Sequence, residues 1–176
     1  MDFPNAEKIS DKFDLWWKNQ NTGAPLMRII ALLDSPSEPL ETETESLSPE
    51  GRYTDVDELS LRFRNHLRTT RYYASAYPNM SIDLGPGSLA LYLGSEPDFK
   101  RETVWFKECV TGDLSKQPLP SFDPGSKWFQ RHLQMAVRAK ELARGKYLVN
   151  IPDLIENIDI LSAMRGLLNL CLDLRD

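Results

Sequence analysis

The segment that most constrains the fold lies at the end of the chain. A short β-favouring run, Tyr147-Leu148-Val149-Asn150-Ile151, turns at Pro152-Asp153-Leu154 and enters a helical stretch that Asn157 is placed to cap. That stretch carries Ile158, Ile160, Leu161, Met164, Leu167, Leu168, Leu170 and Leu172, so it is apolar on most of its surface. A helix of this kind needs burial from several sides, not along one stripe. Helix, glycine, short apolar strand, turn and capped helix is the grammar of a βα repeat, in which a strand is covered on both faces. No closing element follows Leu172-Asp173-Leu174-Arg175-Asp176, so the expectation is an α/β chain that forms part of a larger domain.

Upstream, the periodicities predict further elements. Ile9, Phe13, Trp16 and Trp17 fall at helical spacing between Ala6 and Asn19, with Gly23 and Pro25 as stop signals. Leu26 to Leu33 reads as a short buried strand. Thr54-Asp55-Val56-Asp57 has the form of a capping box, and Val56, Leu59, Phe63 and Leu67 extend it into a helix ending before Pro78. Met80 to Leu84 and Thr103 to Phe106 are strand candidates. Phe129, Leu133, Ala136, Val137 and Leu142 mark a helix from Ser126 to Arg144, with Gly145 at its C-cap. Between Asp34 and Gly51 the chain is acidic, rich in Pro and Ser and without a basic residue, which predicts a mobile insertion.

Charge and cysteine usage exclude several classes. A net charge of -5 does not suit a general nucleic-acid binder, and the cluster Arg62, Arg64, Arg68 and Arg71 reads as a solvated helix face. There is no apolar run of the ~18 residues a membrane span requires, and no signal-peptide pattern opens the chain, so a soluble cytoplasmic protein is expected. Cys109 and Cys171 form no C-x-x-C pair, and His66 and His132 have no second ligand one turn away, so no metal ligand set is expected. Hydrolase, Walker and zincin signatures are missing as well.

The residues that could carry chemistry cluster around predicted strand ends. Leu84-Gly85-Pro86-Gly87-Ser88-Leu89-Ala90 formally fits a dinucleotide fingerprint, but Pro86 removes an N–H that a pyrophosphate would need. Gly85 and Gly87 stand instead as a turn with modest anion affinity. Asp83 sits just before it, at the C-terminal end of a predicted strand, where α/β folds place their sites. Asp153 holds the same place after the later strand, so the two carboxylates are expected on one rim. Trp105 is either core or the wall of a flat-ligand pocket. Asp159 and Arg165, six residues apart on an apolar helix, face different ways and each needs another partner.

Three segments together resemble the uroporphyrinogen decarboxylase-like superfamily: Tyr77-Pro78 through Leu84-Gly85-Pro86-Gly87-Ser88-Leu89-Ala90 to Leu93-Gly94; Thr103-Val104-Trp105-Phe106; and Pro152-Asp153-Leu154 through Asn157, Asp159, Leu161, Arg165-Gly166 and Asp173. The likeness runs from about Trp16 to the end. It implies the N-terminal portion of a (β/α)8 barrel, incomplete in this chain, with residues 1–176 as a single domain and the pocket at the C-terminal rim of the strands. Members decarboxylate the acetate arms of a tetrapyrrole or move methyl groups between corrinoid carriers, thiols or folate. The resemblance implies a catalytic role for Asp83 and substrate contacts for Gly85, Gly87, Trp105, Asp153 and Arg165. The decarboxylases carry a Met-Arg-Gln-Ala-Gly-Arg segment near the first strand, whereas Met27-Arg28 here is followed by Ile29-Ile30-Ala31, so the methyltransferase-like branch is favoured. Zinc or a corrinoid would enter only with a C-terminal half that supplies its ligands. The competing expectations are a non-catalytic half-barrel that pairs with a copy of itself or a partner, and a dinucleotide-binding unit.

Overall fold

The computed structural model describes residues 6–23, 25–44, 47–118, 120–154 and 157–175. At its centre two strands, β3 (Asn79–Met80) and β6 (Leu148–Val149), run parallel in the register Asn79 to Leu148 and Met80 to Val149. The ladder is short for a covalent reason. Leu148 N–H donates to the Pro78 carbonyl and Asn150 N–H to the Met80 carbonyl, but the next donor in register would be Pro152, which has no N–H. The strand expected over Met80 to Leu84 is therefore ladder only at its first residue; Ile82 and Leu84 are buried beyond it without pairing, and the chain already bends at Leu84.

Two helices cover this pair. α5 (Lys127–Ala143) reaches the residue leading into α3 (Val56–Thr69) from its first turns, through Arg131 to the Thr54 carbonyl, meets the first turn of α3 farther along at Arg138–Asp57, and comes together with it again around Leu67 and Leu142 near both ends. They run side by side in the same direction. The stripe Trp128, His132, Met135, Ala139 and Ala143 is buried on α5, and it packs with Met80, Ile82, Leu84, Leu91 and Tyr147 into the main core. Arg144 leaves α5 in the left-handed region at φ 49° and Gly145 follows at φ 74°, so the helix exit uses two residues where one glycine was expected.

The remaining elements decorate that core. α1 is Ala6–Trp17; β1 (Arg28–Leu32) pairs antiparallel with β2 (Thr70–Ala74); α2 is Gly51–Thr54; α4 is Ser88–Tyr92; β4 (Pro97–Phe99) pairs antiparallel with β5 (Val104–Phe106). The helix predicted to run on toward Pro78 stops at Thr69 because β-branched and aromatic residues take over, and the Thr70 hydroxyl turns back to the His66 carbonyl at 2.6 Å. Its cap is Asp55, whose carboxylate accepts from Glu58 N–H. Thr54 instead closes α2 by donating to the Glu50 carbonyl.

The closing helix predicted as one is two. α6 (Asn157–Arg165) and α7 (Leu167–Asp173) are separated at Gly166, whose φ of 83° an L side chain rarely adopts, and the Glu108 carboxylate lies where an added Cβ would go.

The acidic segment is not a free insertion where the structure describes it. Asn65, buried in α3, accepts from Glu41 N–H and donates to its carbonyl. Arg64 grips the Glu41 carboxylate with two N–H groups at 2.9 and 2.6 Å, Arg68 reaches Glu38 and Glu41, and Arg62 reaches Glu43. The supposedly solvated basic face of α3 is thus the dock for this strap, because opposite charges at fixed helical spacing can zip together without needing a core.

Candidate functional site

Asp83 stands three residues beyond Met80, where β3 has lost its ladder. Its Oδ1 accepts the Asp153 N–H at 2.8 Å, and its Oδ2 accepts the Ser81 hydroxyl. The N–H it takes lies immediately past Pro152, the residue that ends the parallel pairing, so a side chain replaces the missing rung. This brings Asp83 and Asp153 together at the same end of adjacent parallel strands. A carboxylate offers about four acceptor positions, and two are taken here. Asp83 is half-buried and Asp153 exposed, which leaves both within reach of a solute.

Gly85 and Gly87 have a packing explanation. A Cβ on Gly85, at φ 94°, would come within 2.6 Å of Val104 Cβ, and one on Gly87 within 2.9 Å of the Phe106 ring. The two glycines let β5 lie directly against the turn. Side chains alternate along a strand, so with Val104 and Phe106 facing the turn Trp105 faces away, and it is 64% exposed. Arg165 is occupied elsewhere: its guanidinium holds the Asp173 carboxylate at 2.7 and 2.9 Å and also donates to the Val110 carbonyl. That pair spans the break at Gly166, and each partner favours the charged form of the other, raising the arginine pKa and lowering that of Asp173. Asp159 is exposed. The geometry therefore joins Asp83 to Asp153, seats Gly85 and Gly87 in the turn that follows Asp83, leaves Trp105 at the surface and ties Arg165 to Asp173.

A buried pair escaped the sequence reading. The Tyr92 hydroxyl and His132 Nδ1 lie 2.6 Å apart inside the core, and His132 is 3% exposed. Burial pushes Tyr92 up to about 12, with the Asp83 charge adding to it. Burial also holds His132 below its ordinary value, against the opposing pull of the Ile82 carbonyl and the Asp83 carboxylate. Both rings are therefore neutral near pH 7, and the Asp83 charge is felt by both. His132 Nε2 is buried and makes no hydrogen bond of good geometry among the described residues. The signal available in the sequence was the stripe itself, since His132 falls four residues after Trp128 and three before Met135, in register with the apolar face.

Among the described residues no group of three His, Cys, Asp or Glu side chains could hold a metal ion, and Cys109 and Cys171 are both exposed. No helix among them is long and apolar enough to cross a membrane. No family model, curated protein or solved structure matches the chain.

Proposed function

We propose that the chain supplies the N-terminal portion of a uroporphyrinogen decarboxylase-like barrel, of the methyltransferase-like branch, acting on a tetrapyrrole, corrinoid or one-carbon substrate at a rim carrying Asp83. The observation that carries this reading is the junction of Asp83 with Asp153 just past the ends of two adjacent parallel strands. Carboxylates at strand C-termini are the usual means by which α/β barrels present charge to a substrate.

In this reading the Ser81 hydroxyl and the Asp153 N–H hold the Asp83 carboxylate in one orientation, with acceptor positions left for a pyrrole N–H or a polarised one-carbon donor. The unused carboxylate of Asp153 adds a second negative charge to the same rim. The described residues offer no donor set for zinc, so no step is assigned to a metal through them.

The test is turnover by the product of the whole gene, assayed anaerobically with uroporphyrinogen and, separately, with methylcobalamin and an alkyl thiol. Asp83→Asn keeps the shape and removes the charge, so activity should fall by about 100-fold or more. Undiminished turnover in Asp83→Asn, or no turnover of either substrate by the unaltered protein, would discard the proposal.

A further inference from the structure

At the opposite end of the parallel strands lies a cleft of about 320 Å³, lined by Arg64 and Arg68 from α3, Arg144 and Lys146 from the exit of α5, Glu38 from the acidic strap, and Leu67, Leu142 and Tyr147. Pro78 and Lys146 precede β3 and β6, whereas Asp83 and Asp153 follow them, so this cleft is separate from the rim described above. We propose that it binds a phosphorylated small molecule with an apolar body.

The charge balance points to an anion. Four cations line or approach a small space in a protein whose net charge is -5. Glu38 and Glu41 offset two of them. The parallel course of α3 and α5 brings two helix C-termini here, each worth about half a negative charge. About one positive charge remains, and Arg144 and Lys146 have no acidic partner among the described residues. Donors arriving on three side chains, Arg144, Lys146 and Arg68 once Glu38 is displaced, suit the three oxygens of a phosphate better than a planar carboxylate, which one guanidinium already satisfies in the Arg64–Glu41 fork. Leu67, Leu142 and the ring of Tyr147 supply an apolar wall. The Tyr147 hydroxyl is committed to Ser60 at 2.7 Å, so what it lends the cleft is ring surface. The volume sits near the lower end of small-ligand sites, which run from about 300 Å³ upward.

The strap contributes an internal competitor. Glu41 is locked by Arg64 and by both backbone bonds to Asn65, but Glu38 meets Arg68 at only 3.4 Å with 55% of its side chain exposed. Glu38 is the carboxylate that an incoming phosphate displaces. It tunes affinity without holding the strap in place.

Calorimetric titration of the full chain with phenyl phosphate, inorganic phosphate and citrate tests this site. Phenyl phosphate should saturate and bind more tightly than inorganic phosphate, because only it uses the apolar wall. The double variant Arg144→Gly with Lys146→Gln should weaken phenyl phosphate by about tenfold or more. Glycine suits the left-handed backbone at position 144, so the helix exit is kept, and Lys146→Gln alone, at an exposed side chain, repeats the test if the pair lowers the melting temperature. Glu38→Gln should tighten binding by about threefold. An absence of saturable heat with phenyl phosphate, an unchanged affinity in the lysine variant, or selective binding of citrate would overturn the assignment. Weaker binding in Glu38→Gln would overturn the role of the strap as competitor.

Discussion

The two ends of this chain and α5 all carry apolar helical faces, and put them to opposite effect. On α5, five residues of one stripe are buried and meet Met80, Ile82 and Leu84 across the parallel pair. On α1 only Ile9 is buried, while Trp16 and Trp17 are 49% and 76% exposed. On α7 only Leu170 is buried, with Leu167, Leu168 and Leu172 open. The apolar stripe is a demand for a partner, and hydrophobic stabilisation accrues only where a partner removes that surface from water. Binary patterning gives a helix its period but does not provide the neighbour.

The largest expected break in that contrast is a pair of truncations. Leu84→Ala empties a site with no solvent exposure and should cost about 2–5 kcal/mol, whereas Leu168→Ala, at 73% exposure, should stay within about 0.5 kcal/mol. Urea unfolding of both would measure the gap, and equal losses would mean that α7 is covered in solution. A smaller separation is expected from glycines. Gly85→Ala combines a positive φ with a 2.6 Å approach to Val104 and should cost about 2–3 kcal/mol. Gly23→Ala also starts from a positive φ, but no atom within 4 Å confines it, so its backbone can relax and the loss should be about 1 kcal/mol or less. Thermal melts that rank Gly23→Ala as the more damaging would contradict the close packing of the turn.

The mildest effect concerns the buried pair. Unfolded, His132 protonates near 6.5. Folded, burial holds it lower, so in the window below 6.5 the unfolded chain binds more protons than the native one. Native stability should therefore fall as pH drops from about 6.5 and level off once the folded ring also protonates. The carboxylates held by arginine, Glu41, Asp57 and Asp173, act lower: their stabilisation is full above their ordinary values of 4.5 and 3.8 and is lost only as pH falls below them. Urea midpoints between pH 5 and 7.5 would read the histidine step alone. His132→Gln should flatten it, and an unchanged slope in that variant would remove His132 as its source.

Much of the secondary structure was legible because each cue is local. The helices over α1, α3 and α5 follow from spacing, and the strands at β1, β5 and β6 from short apolar, β-favouring runs, although β1, expected to be buried, is an exposed antiparallel strand with Ile29 and Leu32 open to solvent. The misses have physical causes. β2 was absorbed into a helix because Tyr72 and Tyr73 continue an apolar spacing that only pairing with Ile29 and Ile30 resolves as strand. The break between α6 and α7 goes with the positive φ of Gly166 and with the Met164 carbonyl accepting from the N–H groups of Cys109 and Val110, far away in sequence. At the candidate rim, the positions of Asp83 and Asp153 were readable from the strand ends. Their hydrogen bond was not, because it spans seventy residues.

By itself, the sequence determined the helical periods, the stop at Gly145 after α5 and the turn at Pro152, since these rest on the covalent geometry of a few adjacent residues. Only the tertiary structure decided which stripes are covered, that the acidic strap docks on the arginines of α3, and that Tyr92 and His132 share a proton-bonding contact in the core. Those outcomes depend on distant segments meeting, and on burial converting ordinary polar groups into ones that must find each other.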